Sequence, residues 1–222
     1  MSGQDFSILS AQGVDLSGKN LQGTSFQFSD ISGTNFTGAN LKDAIFEGAM
    51  IYNADFTNAD LRGANLNKAC LFQTATWTGA MVDPKWEKII ALFENGQLIT
   101  QDFQGYDLSL VCFEDIKWDK PNFSHANLEF AIFGLYSDDL TDASFRYANL
   151  HSTDLGVVDL TNADFTGALF LDTNLKVANL TGTQISSDQL SKAILNDCTR
   201  LPNGLLVNES GCKSPRPTNR PP

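Results

Sequence analysis

The chain has 222 residues, of which 42% are hydrophobic and 18% are charged, and its 15 basic and 26 acidic residues give a formal net charge of −11. This composition fits one or two folded domains, while the negative charge disfavours attraction to phosphate backbones or anionic lipid. The sequence has no apolar run of the roughly 18 residues that span a membrane and no basic and apolar leader in residues 1–12. We therefore expect a cytoplasmic protein that binds neither membranes nor, directly, nucleic acid.

A large apolar residue returns at every fifth position in the first part of the chain. Between residues 34 and 72 these positions are Phe36, Leu41, Phe46, Ile51, Phe56, Leu61, Leu66 and Leu71. An alanine stands two places before the large residue from Ala39 to Ala69. A period of five turns an α-helical side chain about 140° from its predecessor and alternates faces on a strand. A chain that turns a corner after each repeat would bury all these residues, so the period predicts a solenoid.

The corners of this solenoid are also indicated by the sequence. Two positions after the large residue stand Gly18, Gly23, Gly33, Gly38, Gly48, Gly63, Asn53 and Asn58. These residue types accept the positive φ that a type II turn requires. Lys19, in the opening repeats, replaces one of the small inward residues, and we expect it near an open end where its ammonium group reaches water.

The repeated pattern A-(N/D)-L/F-x-x resembles that of the pentapeptide-repeat family. The resemblance covers most of residues 14–186 and implies an all-β fold, a right-handed quadrilateral β-helix with four repeats per coil. The segment with Trp77-Thr78 followed by Asp83-Pro84-Lys85-Trp86 is similar to one in cyanobacterial members. The family is defined by its architecture, so the resemblance says little about function.

The repeats are interrupted once, by a predicted helix. Asp83 and Pro84 form an N-cap and first helical residue, and Gly96 follows as a stop signal. The apolar stripe at helical spacing consists of Trp86, Ile89, Ile90 and Phe93.

The repeats then resume at Phe103. In their first coil the small inward position holds Tyr106, Val111, Ile116 and Pro121. These side chains are too large for a tight interior, so we expect this coil to be the mouth of a second cylinder, widened or covered by the helix. Seven positions instead of five separate Phe133 from Leu140, which predicts a bulge at residues 134–139.

The C-terminal segment is expected to close the solenoid. Ser186 or Ser187 can cap a short helix from Asp188 to about Leu195, whose apolar residues would plug the last coil. The predicted organisation is a first repeat tract at 1–81, a helical insertion at 82–101, a second tract at 102–186, a helical cap at 187–210 and a Pro-rich disordered tail at 211–222.

The sequence gives no sign of catalysis, of a cofactor or of a metal site. Its two histidines, His125 and His151, fall on outward repeat positions without a recurring Ser or Cys partner. No C-x-x-C and no Gly-rich phosphate loop occurs. Asp residues recur just before the large residue, where turn hydrogen bonding, an ion-binding array and an acidic imitation of DNA are alternatives.

We expect a non-enzymatic scaffold that mediates protein–protein interaction. The alternative, implied by family members that protect gyrase, is an acidic DNA-mimic regulator of a topoisomerase. The candidate interaction surface consists of outward apolar residues paired 20 positions apart, with acidic neighbours: Tyr52 with Phe72, Leu110 with Phe130, Val157 with Val177, and Glu114 and Asp115. For Tyr52 and Phe72 an internal contact under the predicted helix is the preferred explanation.

Cys198 and Cys212 lie in the C-terminal segment, 14 positions apart. A disulfide between them would restrict the unfolded chain and stabilise the fold by about 3 kcal/mol. Reduced thiols in a cytosol are the equal alternative.

Overall fold

The computed structural model describes residues 1–70, 74–93, 101–113, 116–133 and 138–212. The chain divides into two compact units, Met1–Ile99 and Thr100–Pro222. The named elements are α1 (Pro84–Phe93), β1 (Thr173–Asn174), α2 (Ser187–Ser191) and β2 (Ala193–Ile194). Turns and isolated parallel bridges between successive coils dominate the rest of the described chain.

Residues about 20 positions apart pair in parallel in both units. In unit 1, Asp15 pairs with Asn35, which pairs in turn with Asp55. The Phe36 N–H donates to the Asp55 carbonyl at 2.7 Å, and the Asp55 N–H donates to the Thr34 carbonyl at 3.0 Å. Each coil therefore takes four five-residue repeats, and the predicted solenoid is confirmed.

The large residues of each repeat stack along the interior. Phe36 lies over Phe56 with ring centroids 5.1 Å apart, and Phe26 lies over Phe46 at the same distance. In unit 2 the corresponding Phe103–Phe123 distance is 5.0 Å. The alanines beside them, including Ala44 and Ala54 with no accessible surface, leave room for these rings. Burial of each large side chain contributes about 1.5–3 kcal/mol.

The corners have positive φ, at bulky residues as well as at glycine and asparagine. Gly38, Asn53 and Asn58 have φ of 65°, 53° and 58°. The same corner position also holds Phe28, Leu110, Phe130, Tyr147, Val157 and Val177, all with φ between 54° and 65°. Left-handed conformation costs these residues about 1–2 kcal/mol each, so the coil geometry imposes the corner on residues that disfavour it.

Unit 1 begins with an exposed coil and continues, after its repeats, into α1. Lys19 is exposed in the first coil, as expected. Helix α1 starts at Pro84 and buries Trp86, Ile89 and Ile90. The carboxylate of Asp83, predicted as the N-cap, accepts a hydrogen bond from the Gly63 N–H at 3.2 Å, which ties the start of the helix to the preceding coil. The predicted stop at Gly96 lies outside the described residues.

Unit 2 begins with the coil that holds the oversized inward residues. Val111, Ile116 and Pro121 are buried there, whereas 38% of Tyr106 is exposed, so this coil encloses three of the four. The predicted bulge falls largely at 134–137, outside the described residues. Across it the pairing distance grows to 22 positions, as between Asn122 and Ser144.

Threonines replace alanine at several inward positions of unit 2 and add hydrogen bonds between coils. The hydroxyl groups of Thr153, Thr173 and Thr199 donate to the carbonyls of Leu128, Leu150 and Leu175 at 2.8, 2.8 and 2.9 Å. All three threonines are fully buried. Each therefore fills the small position without leaving its polar atom unpaired.

The C-terminal closure differs from the expected plug. Helix α2 ends at Ser191 instead of Leu195, and it has no buried residue. Ser186 is its N-cap in a capping box with Gln189. Ala193 and Ile194, expected in the helix, form β2, which pairs in parallel with β1. The expectation failed because the apolar periodicity of so short a segment is compatible with a two-residue strand as well as with a helix. The predicted disordered tail lies, from residue 213, outside the described residues.

Candidate protein-binding surface

Leu110 and Phe130 lie at the same corner of consecutive coils of unit 2. The Leu110 N–H donates to the Glu129 carbonyl at 2.9 Å, and the Phe130 N–H donates to the His151 carbonyl at 3.0 Å. Phe130 is 39% exposed and Leu110 is half-buried. The structure thus places these two predicted residues side by side on the outside of the coil.

The apolar surface continues toward the C-terminus through residues that the sequence analysis missed. The ring of His151 lies 5.8 Å from that of Phe130. The Ser152 N–H donates to the Leu171 carbonyl at 2.8 Å, which places Leu171 on the next coil. Leu169 and Leu171 are 65% and 51% exposed. We call the five residues Leu110, Phe130, His151, Leu169 and Leu171 the apolar strip.

Leu169 departs from the residue type of its column. Leu169 pairs with Asn149, and Asn149 pairs with Asn127, so a leucine continues a column of polar residues that begins at Asp107. Asp or Asn usually occupies this position because its side chain accepts the N–H two residues later. A leucine there gives up that bond and exposes an apolar side chain.

Leu169 and Leu171 are exposed because the solenoid changes beside them. The next coil has α2 at this side, and the side chain of Gln189 donates from Nε2 to the carbonyls of Phe165 and Ala168 at 2.7 and 2.9 Å. The bond to the Ala168 carbonyl replaces one that a further coil would make, since the equivalent Ala148 carbonyl accepts from the Leu169 N–H. A polar side chain thereby closes this part of the edge while the two leucines stay open to solvent.

The rim of the strip is acidic. Glu129 and Asp172 flank it, and the Glu129 carboxylate lies 3.4 Å from His151 Nδ1. Two further predicted members of this rim, Glu114 and Asp115, lie outside the described residues. An apolar centre with a charged rim is typical of protein interfaces.

The second predicted pair is only partly described. Tyr52 is 44% exposed and Phe72 lies outside the described residues, so their expected contact with α1 stays a prediction. Val157 and Val177, the third pair, are half-buried at corners with φ of 65° and 64°.

The aspartates before the core residues make turn hydrogen bonds. The Asp55, Asp159 and Asp164 carboxylates accept from the N–H two residues further on at 2.9, 3.0 and 2.8 Å. The turn interpretation is therefore confirmed. For Asp55, the bond from the Thr57 hydroxyl is the main cause that holds the carboxyl pKa below its usual value.

Some of these carboxylates also form ion pairs with basic side chains. Asp60 accepts from Arg62 Nε and Nη2 at 2.9 and 2.7 Å and lies 3.2 Å from Lys42 Nζ. The Arg62 hydrogen bonds are the main cause that depresses the Asp60 pKa far below its ordinary value. Within the described residues, no cluster of three His, Cys, Asp or Glu could hold a metal ion.

The histidines are engaged in surface contacts. His125 stacks on Tyr147 at 5.1 Å between ring centroids, and His151 contacts Phe130 and Glu129 as described above. His125 is exposed and His151 is half-buried. The two belong to different corners of the coils, so they do not form one site.

The structure joins Cys198 and Cys212 by a disulfide, with Cα atoms 4.7 Å apart. Both residues are half-buried. This is one of the two alternatives that the sequence left open.

The four-repeat coils, the stacked phenylalanines and the inward alanines define a repeat protein of the β-helix class. The family model of pentapeptide repeats matches residues 10–43, 39–74 and 159–197, in 8 copies. The matched residues carry the repeats of the pentapeptide-repeat family, whose solved members are right-handed β-helices. A comparison with curated protein sequences finds no match.

Three solved structures illustrate the likeness. HetL, a pentapeptide-repeat protein involved in heterocyst differentiation regulation in Nostoc sp. strain PCC 7120, is 19% identical over 93% of this chain and 92% of its own, with a TM-score of 0.37. Full-length QnrB1, a plasmid-mediated fluoroquinolone resistance protein, is 16% identical over 87% and 94%, with a TM-score of 0.29. Rfr23 from the cyanobacterium Cyanothece 51142 is 12% identical over 89% and 87%, with a TM-score of 0.18. Scores this low support no functional transfer.

None of the helices in the described part of the chain has the length and apolar character needed to cross a bilayer.

Proposed function

We propose that the chain is a non-enzymatic scaffold that binds another protein through the apolar strip. Pentapeptide-repeat proteins are generally scaffolds of this kind. The four repeats per coil support a four-sided cross-section with flat outer faces. Such faces present side chains in columns. Successive side chains in one column lie about 4.8 Å apart, the spacing of hydrogen-bonded strands.

The observation that supports this proposal best is the exposure of two leucines at positions where the preceding coils carry polar residues, Asn149 for Leu169 and His151 for Leu171. Leu169 and Leu171 are 65% and 51% exposed, and Phe130 adds an aromatic side chain two coils away. An apolar patch that several coils share costs solubility unless a partner covers it.

The charges around the strip define the chemistry of the partner. Glu129 and Asp172 flank the apolar side chains, and the whole chain carries a formal charge of −11. A protein with a basic rim around an apolar centre would complement this surface and would be drawn to it over long range. The proposed partner is therefore a protein with that pattern.

Affinity capture with matched variants tests the proposal. The strip variant is Leu169→Ser with Leu171→Ser. The control is Ile8→Ser with Phe28→Ser, because those residues are 80% and 58% exposed but belong to unit 1. Each immobilised protein is incubated with an extract of the source organism, and the retained proteins are quantified by mass spectrometry.

We expect the wild type and the control to retain one basic protein. The amount of this protein retained by the strip variant should be at least tenfold lower. Equal retention by all three chains would overturn the assignment of the strip. Retention of a topoisomerase that survives the strip substitutions but is lost at high salt would favour the acidic DNA mimic instead.

A further inference from the structure

The last coil ends in a strand that folds back along its own edge. Arg200 pairs in parallel with Asn179 on one side and antiparallel with Leu206 on the other. The Leu201 N–H donates to the Leu205 carbonyl at 2.7 Å, and the Val207 N–H donates to the Thr199 carbonyl at 2.9 Å. We call residues 205–208 the return strand. It covers backbone groups that would otherwise form an open edge.

The return strand has little apolar support of its own. Leu205 and Val207 are 58% and 41% exposed, and residues 207–210 are all exposed. A two-stranded hairpin is marginally stable in water without further packing. Its few backbone bonds therefore do not account for its position by themselves.

The disulfide holds the return strand at its far end. Cys198 belongs to the last coil, next to the fully buried Thr199, and Cys212 follows the return strand. Asn208, between them, donates its N–H to the Asp197 carbonyl at 3.1 Å. Neither cysteine is fully buried. The bond closes a short loop around the return strand and limits how far that strand can move away.

We propose that the Cys198–Cys212 disulfide is a redox-controlled latch on the edge of the last coil. A thiolate of a dithiol reductant attacks one sulfur atom, forms a mixed disulfide with that cysteine and releases the other cysteine as a thiolate. The second thiol of the reductant then attacks the mixed disulfide and releases the first cysteine. The disulfide takes up two electrons and two protons to give two cysteine thiols, while the dithiol is oxidised to its own disulfide. Reduction releases the return strand and frees Thr199–Leu201 for pairing.

The occupant of the freed edge is an extended aliphatic segment of another protein, added antiparallel. The return strand itself is the pattern for this segment, because Leu205, Leu206 and Val207 already pair in that manner. Strand addition to an exposed edge takes its affinity from main-chain hydrogen bonds. A cytosol keeps most thiols reduced, so in the expected cytoplasmic location the latch would be open at rest and would close under oxidation.

Hydrogen exchange measured by mass spectrometry tests the latch. The oxidised wild type is compared with the variant Cys198→Ser with Cys212→Ser, both without reductant. We expect exchange at the Val207 and Asn208 N–H groups to accelerate at least tenfold in the variant. The Arg200 N–H, which donates to the Ala178 carbonyl at 2.9 Å, reports on the coil beneath and should change less than threefold. Unchanged protection at Val207, or equal loss at Arg200, would overturn the latch.

A peptide probe tests the occupant. A fluorescent peptide with the sequence of residues 203–208 is titrated into the full chain carrying the two serines and Val207→Pro, which removes the N–H that donates to the Thr199 carbonyl and so weakens pairing of its own return strand. We expect anisotropy to rise with this variant and not with the oxidised wild type. The same peptide with proline at its Val207 position, which lacks the donor to the Thr199 carbonyl, is the control. Equal binding of both peptides, or no binding to the variant, would contradict strand addition.

Discussion

Trp77 stacks on Phe56 with ring centroids 4.5 Å apart and 12° between the ring planes, although 21 positions separate the two residues instead of 20. The same shift appears in the backbone, since Asp55 pairs with Thr76 whereas Met50 pairs with Cys70. One extra residue is therefore accommodated between Cys70 and Thr76 without loss of the core register. Trp77 continues the stack of Phe36 and Phe56 toward the end of the repeats in unit 1.

Substitution of Trp77 should test how much this stack stabilises unit 1. Trp77 is 7% exposed, so Trp77→Ala should lower the free energy of unfolding by about 3–5 kcal/mol. Trp77→Phe keeps a ring on Phe56 and should lower it by much less. Urea denaturation followed by circular dichroism measures both. Equal effects of the two substitutions would show that the ring stacking is not what stabilises this end.

The repeat period was sufficient to predict the coil, the interior and the pairs of stacked rings. A five-residue period with a small residue beside each large one is compatible with few other backbones, and Phe26 over Phe46 follows from it directly. The end of the second tract was predicted less well. Ala193–Ile194 was assigned to a helix because a two-residue rung has no periodicity of its own, and its pairing with β1 depends on residues 20 positions away.

The candidate surface was likewise predicted only in part. Phe130 was found because an outward apolar residue is visible in the repeat frame. Leu169 has no apolar residue 20 positions before or after it in the sequence, so no pair marks it. Its exposure depends on α2, which takes the place of the next coil at this side. The Cys198–Cys212 pairing was undecided because sequence separation does not fix whether two Cα atoms come close.

The threonine hydroxyls between coils give a second prediction. Thr173→Val removes a fully buried hydroxyl that donates to the Leu150 carbonyl at 2.8 Å, but nearly keeps the side-chain volume. The Thr153 N–H still donates to that carbonyl, so the loss should be about 1 kcal/mol. Thr173→Ser retains the hydroxyl and lacks only a methyl group. If thermal denaturation shows the valine variant to be as stable as the wild type, the hydroxyl bond contributes nothing net.

The cluster around Asp60 should make stability depend on pH. Arg62 lowers the Asp60 pKa, so the carboxylate contributes stability above the unfolded pKa of about 3.9 and loses it as the pH falls toward the folded value. Asp60→Asn keeps an oxygen for the Arg62 N–H, as Asn40 does for Lys42. At pH 7 it should cost up to about 1 kcal/mol, because Arg62 is largely exposed and screened.

The difference in free energy of unfolding between the wild type and Asp60→Asn should shrink steadily below pH 4. Asp102→Asn is the control, because its carboxylate accepts from Gln104 N–H and from Asn122, and no ion pair joins it to another residue in the described ranges. Guanidinium denaturation would mask an ion pair, so urea is used. A constant difference from pH 7 to pH 2 would assign the cost to packing instead of charge.

The positive φ of Val157 leads to the last prediction. A β-branched residue at φ of 65° carries about 1–2 kcal/mol of strain, while its half-buried side chain returns roughly 1 kcal/mol at most. Asparagine tolerates this conformation and occupies the next corner of the same coil as Asn162, with φ of 61°. Val157→Asn should therefore raise the free energy of unfolding by up to about 1 kcal/mol.

The reverse substitution at the neighbouring corner is the matched control. Asn162→Val places a β-branched residue at positive φ and removes the bond from Asn162 Nδ2 to Asp142 Oδ1, which is 3.2 Å long. It should lower stability by about 1–2 kcal/mol. Urea denaturation of both variants at pH 7 measures the two effects under one condition. If Val157→Asn is destabilising while Asn162→Val behaves as expected, the contacts of the Val157 side chain outweigh its backbone strain, and the corner valines are part of the packing between coils.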